Sequence, residues 1–262
     1  MRERIMDVWS HFTRYKPLMN ELVVRDLKIK YRRSFLGYVW SLLNPLLMMC
    51  VMTLVFSNVF RGGISNFPLY LICGQTLFTF FNESTNMAMR SILDNGSLLR
   101  KVYVPKFIFP ISRVLSSFVT MSFSLVAVLI VLLFSGIQLS FTMLLFFVPL
   151  VFLFVFCCGV GLILAAFSVY FRDVVHLYSV ITLAWMYGTP IFYPIEGVSL
   201  QIAAIIKLNP LYHYINCFRN LVIYGNIPGP NTWFACIASS LLMLAIGLIV
   251  FNKLQKNFIL YI

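Results

Sequence analysis

Apolar stretches of about 20 residues recur along this sequence, each the length that one α-helix needs to cross a hydrocarbon layer of about 30 Å. Lipid offers the backbone no hydrogen-bond partners, so a chain spanning it must satisfy its own N–H and C=O groups, and these runs are read as helices. Composition agrees, since only 11% of the 262 residues are charged and 61% are hydrophobic. Ordinary soluble domains carry about a quarter charged residues, so a water-solvated surface cannot be built from this chain. The length leaves room for six or seven spans and none for a large appended enzyme domain.

Hydropathy predicts spans at Val39 to Phe60, Phe67 to Met89, Phe107 to Ser135, Phe141 to Tyr170, His176 to Tyr193 and Trp233 to Phe251. The second carries Asn82, Glu83 and Asn86, and the fifth is short and ends in Gly188, Thr189 and Pro190, so broken or protein-lined geometry is expected there. Of the 20 Lys and Arg, 17 fall on the side that holds both termini, leaving Arg61, Lys207 and Arg219 opposite. The positive-inside rule then puts both termini in the cytoplasm. No early apolar stretch of signal-peptide type precedes Tyr38, so no cleaved leader is expected. The excess of basic residues, net +12, is read as membrane-surface attraction; no nucleic-acid module is present and no nucleic-acid partner is expected.

Residues 1–37 form a cytoplasmic interfacial region and 38–262 the membrane domain. Within the first, Ile5, Val8, Trp9 and Phe12 fall at helical spacing, and Arg25, Lys28 and Arg32 at i, i+3 and i+7, which predicts amphipathic helices lying in the interface. Residues 90–106 form a cytoplasmic loop in which a short amphipathic helix is interrupted near Asn95-Gly96 and stops at Pro105. Residues 194–230 lie outside yet are rich in Ile, Leu and Tyr, which favours short re-entrant or interfacial helices around Asn209-Pro210. The fold class is therefore all-α integral membrane: six transmembrane helices, N-terminal interfacial amphipathic helices, and short helices before the last span.

Catalytic chemistry is absent from the pattern. His11, His176 and His213 stand on different segments, the six cysteines show neither disulfide framework nor metal spacing, and no phosphate-binding G-x-x-x-x-G-K-[ST] occurs. ATP work would have to come from another polypeptide, so no cofactor is expected in this chain. Glu83 is the one acid deep within a predicted span; it reads either as part of a helix–helix polar network with Arg113 as partner, or as a proton- or ion-coupling group. Tyr178, Thr182, Trp185, Thr189 and Phe192 form one stripe of aromatic faces and hydroxyls, which suits sugar rings and equally suits helix packing. The cluster Arg25, Lys28, Lys30, Arg32 and Arg33 serves either as an anchor to anionic lipid or as a site for the phosphate of a lipid-linked substrate.

Several of these segments together carry a family resemblance. Arg25-Asp26-Leu27-Lys28-Ile29-Lys30-Tyr31-Arg32-Arg33 followed by Leu36 to Pro45, then Leu98 to Pro105, Phe171-Arg172-Asp173-Val174, Thr189 to Pro194, and Asn209-Pro210-Leu211 with Phe218-Arg219, resemble the polysaccharide-export permeases of the type-2 ATP-binding-cassette superfamily. The resemblance implies a half-transporter: two copies of this chain, two separate ATPase subunits holding ATP and Mg, and a path for a glycan carried on a lipid pyrophosphate, such as O-antigen, teichoic acid or capsule. It implies that the loop with Leu98, Leu99, Arg100, Lys101 and Tyr103 seats the ATPase, that the N-terminal interfacial helix gates cytoplasmic entry and that the segment near Asn209 forms the outer gate; read with the residue chemistry above, Arg25, Lys28, Arg32 and Arg33 are expected to bind the substrate headgroup and the stripe on the fifth span to line the glycan path. Efflux of a smaller amphiphile, an ion-coupled transporter using Glu83, and a membrane glycosyltransferase remain as alternatives, the last disfavoured by the lack of an acidic cluster.

Overall fold

The computed structural model describes residues 2–30, 32, 34, 36–56, 66–138 and 140–261, with side chains from Tyr15 onward except at 259. Among these residues every regular element is a helix. In chain order they are α1 (Arg2–Lys30), α2 (Trp40–Phe56), α3 (Phe67–Asp94), α4 (Gly96–Lys101), α5 (Ile108–Phe134), α6 (Phe147–Tyr170), α7 (Val174–Tyr187), α8 (Leu200–Lys207), α9 (Pro210–Val222), α10 (Pro230–Leu254) and α11 (Phe258–Tyr261). The side chains of Ile5, Val8, Trp9 and Phe12, the end of the first expected span at 57–60, and the residues Arg33 and Arg61 lie outside the described residues.

Helix boundaries follow local chemistry. Proline, which lacks the N–H that a first turn leaves unpaired anyway, opens α9 and α10 and stands second in α3. Asn209 caps α9, its side chain accepting from the Leu211 N–H at 3.0 Å. α7 stops at Gly188, ahead of the Thr189-Pro190 pair that cannot continue it.

Among the described residues four helical stretches are long and apolar enough to cross a membrane: Gly37–Phe56, Ile108–Phe134, Phe141–Tyr170 and Pro230–Asn257. The other two expected spans differ instructively. α3 has 28 residues, ample for a crossing, but is far more polar because it is enclosed by protein: it packs between α5 and α6 and contributes Leu71, Ile72, Phe81, Ala88 and Met89 to the interior. It also runs on past Met89 to Asp94, so residues 90–106 contain only the six-residue α4 as a helix of its own. α7 has 14 residues, about 21 Å at helical rise, and falls short of the hydrocarbon thickness. Its expected continuation to Tyr193 is an irregular buried segment. The basic N-terminal region forms one helix, α1, where separate interfacial helices were expected.

Interior packing divides into two clusters. The larger surrounds Phe81, Phe156, Tyr214 and Phe218; the smaller, at the end that carries α1, α4 and the C-terminus, joins Met19, Leu22, Ile92, Leu99, Phe109, Phe251 and Phe258. α6 and α10 approach with backbones in contact: a Cβ on Gly247 would overlap the Gly159 carbonyl, and one on Gly159 would overlap the Met243–Leu244 backbone. Small residues permit such approaches between membrane helices, where dispersion replaces the hydrophobic drive. Ser168 ties α6 to α3, donating to the Met89 carbonyl at 2.6 Å.

Candidate functional site

The three groups of sequence-predicted residues occupy three separate regions, and the Arg219 site and a polar cleft add two more.

At the end that carries α4 and the C-terminus, α1 is clamped to α5 through a buried carboxylate. Asp26 receives Arg113 at 3.1 Å and the Ser116 hydroxyl at 3.3 Å. Arg25 reaches the same Asp26 oxygen at 3.3 Å and the Asn95 side-chain oxygen at 3.1 Å, while Arg113 also meets Asp94 at 3.4 Å. Two arginines and two aspartates thus balance. Arg113 is not the partner of Glu83, as the sequence reading had it; Glu83 is paired with Lys30, because α1 ends beside the middle of α3. Of the expected headgroup residues, Lys28 and Arg32 face solvent, and with Arg25, Glu21, Val24 and Ile29 they line a surface cavity. Arg33 lies outside the described residues.

The expected ATPase seat splits by direction. Leu99, 8% exposed, and the half-buried Leu98 pack into the smaller cluster, whereas Arg100, Lys101 and Tyr103 point outward, Tyr103 being 95% exposed. Leu99 therefore anchors α4, and the outward residues form the surface. Beside it Lys106 donates to the Gln255 carbonyl at 2.6 Å and lies over the Phe258 ring, and burial draws its ammonium below the ordinary lysine pKa.

The stripe on α7 and the segment after it faces the chain's own interior. Tyr178 donates to the Thr85 hydroxyl of α3 at 2.7 Å; Thr182 donates back to the Tyr178 carbonyl at 2.8 Å. Trp185 donates to Asn209 at 2.8 Å and meets the Phe81 ring edge-on at 5.0 Å. Thr189 is buried and accepts from Asn209 at 2.8 Å, and Phe192 stacks on Phe56 at 5.7 Å. Asn209 thus joins the end of α7 to the start of α9.

The irregular segment after α7 is held by Arg219 of α9, which is 4% exposed. Its guanidinium donates to the Tyr70 carbonyl at 2.9 and 3.1 Å, to Pro190 at 2.7 Å and to Ile191 at 3.2 Å. The Tyr70 hydroxyl donates to the Pro190 and Tyr193 carbonyls in turn. Non-helical backbone in an apolar setting needs donors, and Arg219 supplies them from a rigid fork.

Sequence reasoning missed the cleft between α2, α3 and α5, a cavity of about 330 Å³ lined by Asn44, Gln75, Thr76, Thr79, Ser117, Thr120 and Ser124, with the Lys30–Glu83 pair at one end. The signal was present: Gln75, Thr79 and Glu83 recur every four residues on α3, and Ser117, Thr120 and Ser124 share one face of α5.

These elements span the region recognised by one family model. The model for the ABC-2 type transporter membrane family matches residues 18–223. The chain belongs to this family. Its ABC-2 relatives resemble it over nearly their full lengths. The O-antigen export system permease protein RfbA of Myxococcus xanthus is 30% identical over 93% of this chain and 95% of its own. The capsule polysaccharide export inner-membrane protein CtrC of Neisseria meningitidis is 24% identical over 92% of each chain. The polysialic acid transport protein KpsM of Escherichia coli is 23% identical over 94% of this chain and 97% of its own. The ABC-2 match takes in α1 from Leu18, the clamp at Asp26, α4, the α7 stripe, the cleft and the Arg219 site.

Proposed function

We propose that this chain is the transmembrane permease subunit of an ATP-driven exporter that carries a polysaccharide of O-antigen or capsule type across the inner membrane. The observation that carries the reading is the end-to-end similarity to export permeases, led by RfbA at 30% identity. Helices α2, α3, α5, α6, α7 and α10 act as the six membrane-crossing elements, α7 being completed by the segment that Arg219 holds, with both termini cytoplasmic. Two copies assemble with two ATPase subunits, whose seat is the outward surface of α4 at Arg100, Lys101 and Tyr103, Leu98 and Leu99 holding the helix beneath it. The substrate enters as a lipid pyrophosphate near Arg25, Lys28, Arg32 and Arg33.

The α7 stripe then supports the glycan path by positioning: Tyr178 and Trp185 lock α7 to α3 and to α9, so a movement delivered at α4 reaches the outer segment through packed helices. The ion-coupled alternative gains no support, since Glu83 is held by Lys30.

Deleting the coding sequence tests the reading. Surface polysaccharide should disappear while its lipid-linked form accumulates inside, and reintroducing this chain should restore display only when the partner ATPase is intact. Unaltered surface polymer in the deletion strain would overturn the function.

A further inference from the structure

A polar cleft inside a lipid-facing bundle is costly unless something occupies it, and the cleft between α2, α3 and α5 contains polar atoms that the protein leaves unpaired. Thr76 is 3% exposed and its hydroxyl has no partner among the described residues; the side-chain oxygen of Gln75, one residue earlier, is likewise buried and unpaired. Thr85 on α3 and Thr120 on α5 bond back to a carbonyl of the preceding turn, whereas the Thr76 hydroxyl, like that of Thr53 on α2, does not. An unpaired buried hydroxyl or amide costs about 1–3 kcal/mol, so two side by side call for a ligand.

The lining specifies what that ligand must be. Gln75 offers an acceptor oxygen, which only a donor can satisfy; acyl chains, esters and phosphate diesters have none to give. The Lys30–Glu83 ion pair in the wall is internally neutral and selects neither sign. The rest of the polar wall is hydroxyl and amide, groups that both donate and accept, and Trp40 and Phe80 add apolar ring surface. From Gln75 to Glu83 the cleft extends about 12 Å along α3, and its volume lies within the range of small-ligand sites.

We infer that this cleft is a binding site for an uncharged polyhydroxyl group, namely sugar rings of the transported glycan, engaged through Gln75 and Thr76. The inference rests on the export reading above and places sugar recognition in a cleft within one protomer, between α2, α3 and α5, while the α7 stripe acts by positioning. Two hydroxyl-bearing sources fit the same chemistry, a sugar ring and a glycerol headgroup of a membrane lipid, and the test separates them.

The assembled permease–ATPase complex would be placed in phosphatidylcholine nanodiscs, which carry no polyol headgroup, and saturation-transfer NMR recorded with a panel of methyl glycosides and, separately, with glycerol 1-phosphate. Transfer to at least one glycoside is expected, falling at least fivefold in Gln75→Leu/Thr76→Val and retained in Thr76→Ser, with co-purification of the ATPase as the folding control. A Gln75→Leu/Thr76→Val complex that fails to assemble is replaced by Thr76→Val alone, for which at least a twofold loss is expected. Transfer to glycerol 1-phosphate alone, transfer to nothing, or glycoside transfer unchanged in the variants would overturn the site. The export assay in cells is read independently: lost display with intact glycoside transfer refers to the function, and normal display with no transfer refers to the cleft.

Discussion

The guanidinium of Arg219 on α9 lies 3.4 Å from the ring centroid of Tyr70 on α3 and donates twice to the Tyr70 backbone carbonyl. Among the described residues no carboxylate pairs with it, so the positive charge is met by carbonyl oxygens and an aromatic face. The approach is allowed by Gly74, where an added Cβ would stand 2.5 Å from an Arg219 nitrogen. One glycine, one arginine and one tyrosine thereby hold the broken end of α7.

Gly74→Val should expel the guanidinium and leave Pro190 and Ile191 without donors. Stripping partners from a buried charge costs about 3–5 kcal/mol, so detergent-solubilised Gly74→Val should show a markedly lower melting temperature by fluorescence-detected size exclusion. Arg219→Lys, which lacks the fork, should fall between the two.

Gly247→Val should be as damaging at the α6–α10 crossing, because the new side chain would meet the Gly159 backbone, which cannot rotate away. Gly229→Ala is the matched control, with open space around its Cβ position. Membrane abundance should drop severalfold in the first and stay at the parental level in the second.

Removing either member of the Asp26–Arg113 pair should loosen α1, since Asp26 is buried and its loss leaves Arg113 with only the exposed Asp94. Asp26→Asn and Arg113→Gln should each raise protease cleavage in α1, and the double variant should be less damaged than the sum of the two. Fully additive effects would mean that the pair does not couple the helices.

The two sides of α4 should separate in mutagenesis. Tyr103→Ala with Arg100→Glu should lower ATPase co-purification while leaving thermal stability near parental, because both side chains point outward. Leu99→Asp should instead destabilise the permease itself, placing a charge among Met19, Ile92 and Phe109. Equal melting temperatures for the two variants would contradict the assigned directions.

Lys28→Ala with Arg32→Ala should weaken stimulation of the partner ATPase by lipid-linked substrate severalfold, with basal hydrolysis as the internal reference. Arg25 is a poorer test, because its guanidinium already serves Asp26 and Asn95 and its loss would disturb the α1 clamp.

By itself the sequence determined that this is an all-helical membrane chain, where its long apolar helices lie, that α7 breaks near Pro190, and that helices start around Asn209-Pro210. These are local facts: a run of apolar residues, a missing N–H at proline and a capping side chain act within a turn or two of themselves. Tertiary structure alone decided which charge pairs with which. Arg113 stands 30 residues from Glu83 in sequence and reads as its partner, yet Asp26, brought in by α1 from 87 residues away, takes it instead. The same holds for Arg219, counted among the outside basic residues and found buried under three carbonyls from two other segments. Whether Leu99 and the α7 stripe face inward, and whether the hydroxyls of α3 and α5 meet across one cleft, depends on how helices rotate against one another. Hydropathy along a single helix carries that information only weakly, because an apolar side chain is equally at ease against lipid and against protein.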